Sequence, residues 1–67
     1  MRLSEDKERF FRARLPVLGV TWTRFDTEKD ARQFATWAER ATLRADYPCE
    51  SFCYRDEDHW EVKVRNW

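Results

Sequence analysis

The spacing of apolar residues changes along the chain, and each change predicts an element. Over residues 4–15, Leu3, Phe10, Phe11 and Leu15 give one apolar face. Ser4 can cap a helix there, acids (Glu5, Asp6, Glu8) come before bases (Arg9, Arg12, Arg14), and that order complements the helix dipole. Pro16 forces Leu15 toward extended geometry and ends the helix. Residues 17–25 then alternate. Leu18, Val20 and Trp22 share one face, Thr21 and Thr23 the other, and the pattern predicts a strand with Trp22 in the core. Gly19 inside it marks a bulge or a close backbone approach.

The strongest helical pattern covers residues 27–45. Thr27 and Asp30 have the spacing of a capping box, and Ala31, Phe34, Ala35, Ala38, Ala41 and Ala45 recur every three or four positions. A stripe made mostly of Ala lets a helix lie close to a sheet, with Phe34 as anchor. Pro48 ends the pattern. Residues 49–55 and 59–66 read as two strands joined by the polar turn Asp56-Glu57-Asp58. In the second, Trp60, Val62 and Val64 point inward and Glu61, Lys63 and Arg65 outward.

The expected fold is α+β: an N-terminal helix, then β-α-β-β, with a three-stranded, mainly antiparallel sheet packed on the long helix. Strand 59–66 is expected at the centre and strands 17–25 and 49–55 at the edges. The position of the first helix does not follow from the pattern. No repeat, linker or composition break divides residues 1–67, which are read as one small domain.

Composition adds a difficulty to this fold. The chain of 67 residues holds five Phe, four Trp and two Tyr, yet a domain of this size has a thin core. Trp22, Phe34, Trp60, one of Phe52 or Tyr54, and one of Phe10 or Phe11 have core positions. Trp37 lies about 90° from the centre of the Ala stripe, Trp67 and Phe25 have outward parity, and Tyr47 sits in a connection. Either the first helix or a partner covers these four. A homodimer would also relieve the thin core.

Charge separates function classes. With 13 basic and 13 acidic residues the net charge is zero, which disfavours a general nucleic-acid binder. Its distribution is uneven. Arg9, Arg12, Arg14 and Arg24 fall in a stretch without acids, whereas Asp46, Glu50, Asp56, Glu57, Asp58 and Glu61 cluster around a single Arg. Because Trp, Tyr and Arg dominate interface hot spots, Trp37, Arg40, Arg44 and Trp67 are the candidate partner-binding residues, with Asp56, Glu57 and Asp58 as a phosphate-like acidic turn. The alternative is nucleic-acid contact through Arg9, Arg12, Arg14 and Arg24.

No catalytic motif is present, so no enzyme and no cofactor are expected. Cys49 and Cys53, four steps apart on a strand, would have Cα atoms roughly 13 Å apart, beyond the reach of a disulfide at about 4.4–6.8 Å. They are read as reduced thiols. Cys49, Cys53 and His59 lack the paired spacing of a zinc site, so no metal is assigned. No apolar run approaches the roughly 20 residues of a membrane span, and the charged stretch from Met1 to Arg14 is unlike a signal peptide. A cytoplasmic protein is expected.

The segment over residues 27–67, with its helix opening at Asp30-Ala31 and running through Ala38, and its closing strand Trp60-Glu61-Val62-Lys63-Val64, resembles small bacteriophage host-takeover proteins. These include anti-CRISPR proteins and phage inhibitors of host polymerase. The resemblance is one of architecture and transfers no residue roles. It implies a non-enzymatic protein-binding inhibitor that blocks a larger host nucleic-acid-handling complex by steric occlusion in the host cytoplasm.

Overall fold

A computed structural model describes residues 3–16 and 18–66. Its elements are α1 (Glu5–Arg12), β1 (Gly19–Phe25), α2 (Glu28–Arg44), β2 (Glu50–Asp56) and β3 (His59–Asn66). The fold is α+β, with a sheet of order β1-β3-β2 in which β3 pairs antiparallel with both neighbours.

Local chemistry sets the helix ends. Ser4 accepts the Lys7 N–H at the start of α1, and Thr27 accepts the Asp30 N–H at the start of α2. At the far end of α2 the Asp46 N–H reaches Leu43 O and the Tyr47 N–H reaches Thr42 O. This is the Schellman pattern, with Asp46 in the left-handed region (φ 65°) where glycine is the usual occupant. At the start of β1, Gly19 has φ +104°, a backbone that side-chain-bearing residues rarely adopt.

α2 lies across β2 and β3, as its stripe of small residues predicts. Ala31, Phe34 and Ala38 are buried against Val62 and Val64, and Ser51 Oγ on β2 donates to Ala35 O at 3.3 Å. α1 settles on the same side of the sheet, beside α2 and over the end of β1. Its Phe11 has no exposed surface and packs 5.0 Å from Phe34, 5.4 Å from Trp37 and 6.4 Å from Phe25, measured between ring centroids.

The structure corrects the facing of β1. Trp22 is 60% exposed and Leu18 78%, whereas Thr23 and Phe25 are buried. The register explains this: Thr21, Thr23 and Phe25 stand opposite Val64, Val62 and Trp60, so the odd-numbered positions of β1 share the inner face. Phe10 and Phe11 then close over Phe25 from α1. Phe25 is thus a core residue and not an interface candidate, and Trp22 belongs to the outer face. Phe52 and Tyr54 are both exposed, although one of them was expected in the core.

Thr42 carries the most consequential polar contacts of the interior. It is fully buried, donates to Ala38 O at 2.7 Å and accepts the Cys49 N–H at 3.1 Å, tying α2 to the entry of β2. Thr42→Val keeps the shape but orphans that amide, so the variant is expected to lose about 1–3 kcal/mol. The shift of the urea midpoint measures it. A midpoint within error of wild type would mean the amide finds another acceptor.

Candidate functional site

α1 and α2 enclose a groove of about 800 Å³ on the helical side of the molecule. Its floor is Trp37 with Ala41. Trp37 is half-buried because Phe11 packs on it, and the Arg12 guanidinium lies 5.4 Å from its ring. Lys29, Arg32, Arg40 and Arg44 rise from α2 and Arg12 from α1, so five cations border the groove against one carboxylate, Glu8. The grouping of the α2 cations follows from helix geometry, because positions 29, 32, 36, 40 and 44 fall on one flank of α2.

Two of these cations are engaged. Arg12 pairs with Glu8 at 2.9 Å and Arg32 with Glu28 at 2.7 Å, a contact that raises the Arg32 pKa further. Lys29, Arg40 and Arg44 form no ion pair among the described residues. The groove is therefore an electropositive trough with an aromatic floor, suited to an anionic ligand that also offers an apolar group.

Three of the partner-binding residues read from the sequence, Trp37, Arg40 and Arg44, are together in this groove. Trp67 lies outside the described residues. Asp56, Glu57 and Asp58 form the end of the β2–β3 hairpin and do not line the groove. The basic run is dispersed: Arg9 pairs with Asp6, Arg14 stacks 3.7 Å from the Phe10 ring, and Arg24 sits on the sheet opposite Glu61. Only Arg12 of that run reaches the groove. Tyr47 is exposed after α2. Lys29, Arg32 and Arg12 were not gathered with Trp37 from the sequence; for Lys29 and Arg32 the signal was their spacing along α2, whereas Arg12 needs the position of α1.

The face of the sheet away from the helices is uncovered. The register sets Trp22, Lys63 and Phe52 in one row across the three strands, and Arg24, Glu61 and Tyr54 in the next. The Lys63 ammonium lies 5.9 Å from the Trp22 ring and 5.9 Å from the Phe52 ring. Tyr54 donates to Glu61 at 2.9 Å, which raises the Tyr54 pKa.

Both cysteines are free thiols. Burial pushes the Cys53 thiol up, away from the reactive thiolate. Cys53 stands opposite Val62 on the inner face, while His59 lies on the outer face with Glu61, so the strand separates two members of the set Cys49, Cys53 and His59. His59 instead meets carboxylates, and its hydrogen bond to Asp58 holds that carboxyl below the usual range.

The described architecture is a small α+β domain with a helical groove and an open sheet face. Compared with protein-family models, with curated proteins and with solved structures, the chain matches none. No helix among the described residues is long and apolar enough to cross a membrane.

Proposed function

We infer that the protein is a non-enzymatic binding domain whose α1–α2 groove takes an acidic segment of a larger protein, and that it acts by occluding the surface to which it binds. The groove carries this reading: three cations without ion-pair partners among the described residues, beside a half-buried Trp. An acidic segment would meet guanidinium groups able to grip carboxylates bidentately, and an apolar side chain next to its acids would rest on Trp37. A host complex that handles nucleic acid is the target implied by the likeness to phage inhibitors, and the host cytoplasm the setting. The acidic hairpin end is a separate patch on which the groove reading does not depend.

A second reading rests on the sheet. Trp22, Phe52 and Tyr54 are exposed around Lys63, an arrangement on which single-stranded bases can stack. The same face is where the expected homodimer is to be sought.

The test is affinity capture from a bacterial host with the wild type, Trp37→Ala and the double variant Arg40→Glu/Arg44→Glu. The fold of each is checked by circular dichroism. A protein captured by the wild type, lost at least tenfold from both variants and retained after nuclease treatment is the expected result. Retention by both folded variants would remove the groove. Loss on nuclease treatment, with a steep fall between low and moderate salt, would favour the sheet-face reading instead.

A further inference from the structure

At the end of the β2–β3 hairpin, Asp56, His59 and Glu61 each offer one ligand atom, and these atoms all lie within 4.8 Å of one another. The hairpin makes this happen. Asp56 and His59 are the last register pair, closed by the two-residue turn Glu57-Asp58, and Glu61 is the next outward residue of β3. His59 Nε2 lies 3.7 Å from Asp56 Oδ2 and 3.6 Å from Glu61 Oε1.

These spacings are informative. A proton shared between nitrogen and oxygen brings them to about 2.7–3.2 Å. A metal ion with bonds near 2.1 Å holds neighbouring ligands about 3.0–3.4 Å apart. The two separations from His59 Nε2 fall outside the first range and a few tenths of an ångström from the second, and the two carboxylate oxygens lie within 4.8 Å of each other. The ring is also oriented. Its Nδ1 faces Asp58 Oδ1 at 3.3 Å, and the tautomer that donates there leaves the Nε2 lone pair aimed between the two carboxylates. Glu61 is fixed in turn, its Oε2 taken by the Tyr54 hydroxyl, which leaves Oε1 on the side of His59 Nε2. A carboxylate behind a ligating imidazole and a hydrogen bond behind a ligating carboxylate are the supports that metal ligands normally have. His59 itself is only 13% exposed.

We propose that Asp56, His59 and Glu61 bind a divalent transition-metal ion of the Zn²⁺ type, with Asp58 and Tyr54 as positioning residues. One imidazole nitrogen and two carboxylate oxygens suit Zn²⁺ and disfavour Mg²⁺ and Ca²⁺, which prefer oxygen alone. Solvent completes the coordination, because Asp56 is exposed. The ion joins the end of β2 to the start of β3 and offsets the charge of carboxylates for which Arg24, opposite Glu61, stands nearby on β1. The site is independent of the helical groove.

ZnCl₂ titrated into the full chain, in a buffer that does not chelate, tests this by calorimetry and by NMR of the His59 ring. One Zn²⁺ per chain is expected, with the His59 ring signals moving and Mg²⁺ leaving them in place. His59→Gln, Asp56→Asn and Glu61→Gln should each weaken binding at least tenfold, and Asp58→Asn about 10–100-fold. Cys53→Ser should bind as wild type does. Asp56, Asp58, His59 and Glu61 lie on the outer face or the turn and Cys53 on the inner face, and circular dichroism confirms that each variant is folded. Absence of saturable binding up to millimolar Zn²⁺, a stoichiometry of one ion per two chains, undiminished binding by His59→Gln, or loss in Cys53→Ser would each overturn the proposal. Protonation of His59 as the sole event in its ring spectrum would do so too.

Discussion

Phe34→Ala is expected to leave the chain largely unfolded at room temperature. Phe34 has no exposed surface and stands at the junction of the helices and the sheet, 5.0 Å from the Phe11 ring and 5.6 Å from the Phe25 ring. Truncating such a residue removes its transfer energy and leaves a cavity that its neighbours fill poorly. The loss is typically about 3–5 kcal/mol. Domains have roughly 0.05–0.15 kcal/mol of stability per residue, so a chain this short has little in reserve. Urea titration followed by circular dichroism measures the loss, and Phe34→Leu should be much milder. A loss below about 1 kcal/mol for Phe34→Ala would mean that the aromatic cluster is not the main core.

Phe11→Ala is expected to act differently, by releasing α1. The helix has eight residues, too few to hold together alone in water. Its only fully buried attachment to the rest is Phe11; Phe10 against Phe25, Arg12 over Trp37 and the Lys7–Asp30 ion pair at 3.9 Å are more exposed supplements. An exposed pair of that kind adds little. Hydrogen exchange should therefore show the amides of α1 unprotected while those of β3 keep their protection. Phe25 and Trp37 become accessible, and the groove loses one wall, so partner capture falls as well. Protection of α1 equal to wild type would show that other contacts suffice to hold it.

The contrast between these two phenylalanines marks what the sequence could and could not disclose. Caps and periodicity located the elements: Ser4 and Thr27 sit at the N-caps of the two helices, and β3 is central, as its Trp60, Val62, Val64 alternation suggested. The facing of β1 was misread because Leu18, Val20 and Trp22 are more apolar than Thr21 and Thr23. Hydrophobicity ranks the two faces one way, but pairing with Val62 and Val64 decides the other way. On the odd face Phe25 packs against Phe11, Phe10 and Phe34, contacts between residues far apart in the chain. One consequence is a buried Thr23 hydroxyl without a hydrogen-bond partner among the described residues.

The site divides along the same line. Trp37, Arg40 and Arg44 share a flank of a single helix, so spacing along the chain was enough to associate them. Arg12 joins them only because α1 docks beside α2. Asp56, His59 and Glu61 needed the two-residue turn and the pairing of Asp56 with His59 to be known. Read as text, His59 was grouped with the cysteines, the nearer metal-binding types, although Cys53 lies on the opposite face of the sheet.

The row Trp22–Lys63–Phe52 has a consequence for crowding. A bare sheet face with exposed aromatic rings invites indiscriminate adhesion to membranes, unfolded chains and other copies. Here the ammonium of Lys63 lies near both rings, drawn to their faces yet hydrated at its tip. A greasy surface pressed against this face would have to strip water from that charge and receive nothing in return. Only a visitor with its own anion or acceptor at that point can settle there, so Lys63, with Arg65 5.8 Å from the Phe52 ring beside it, acts as a gatekeeper for an otherwise sticky plane.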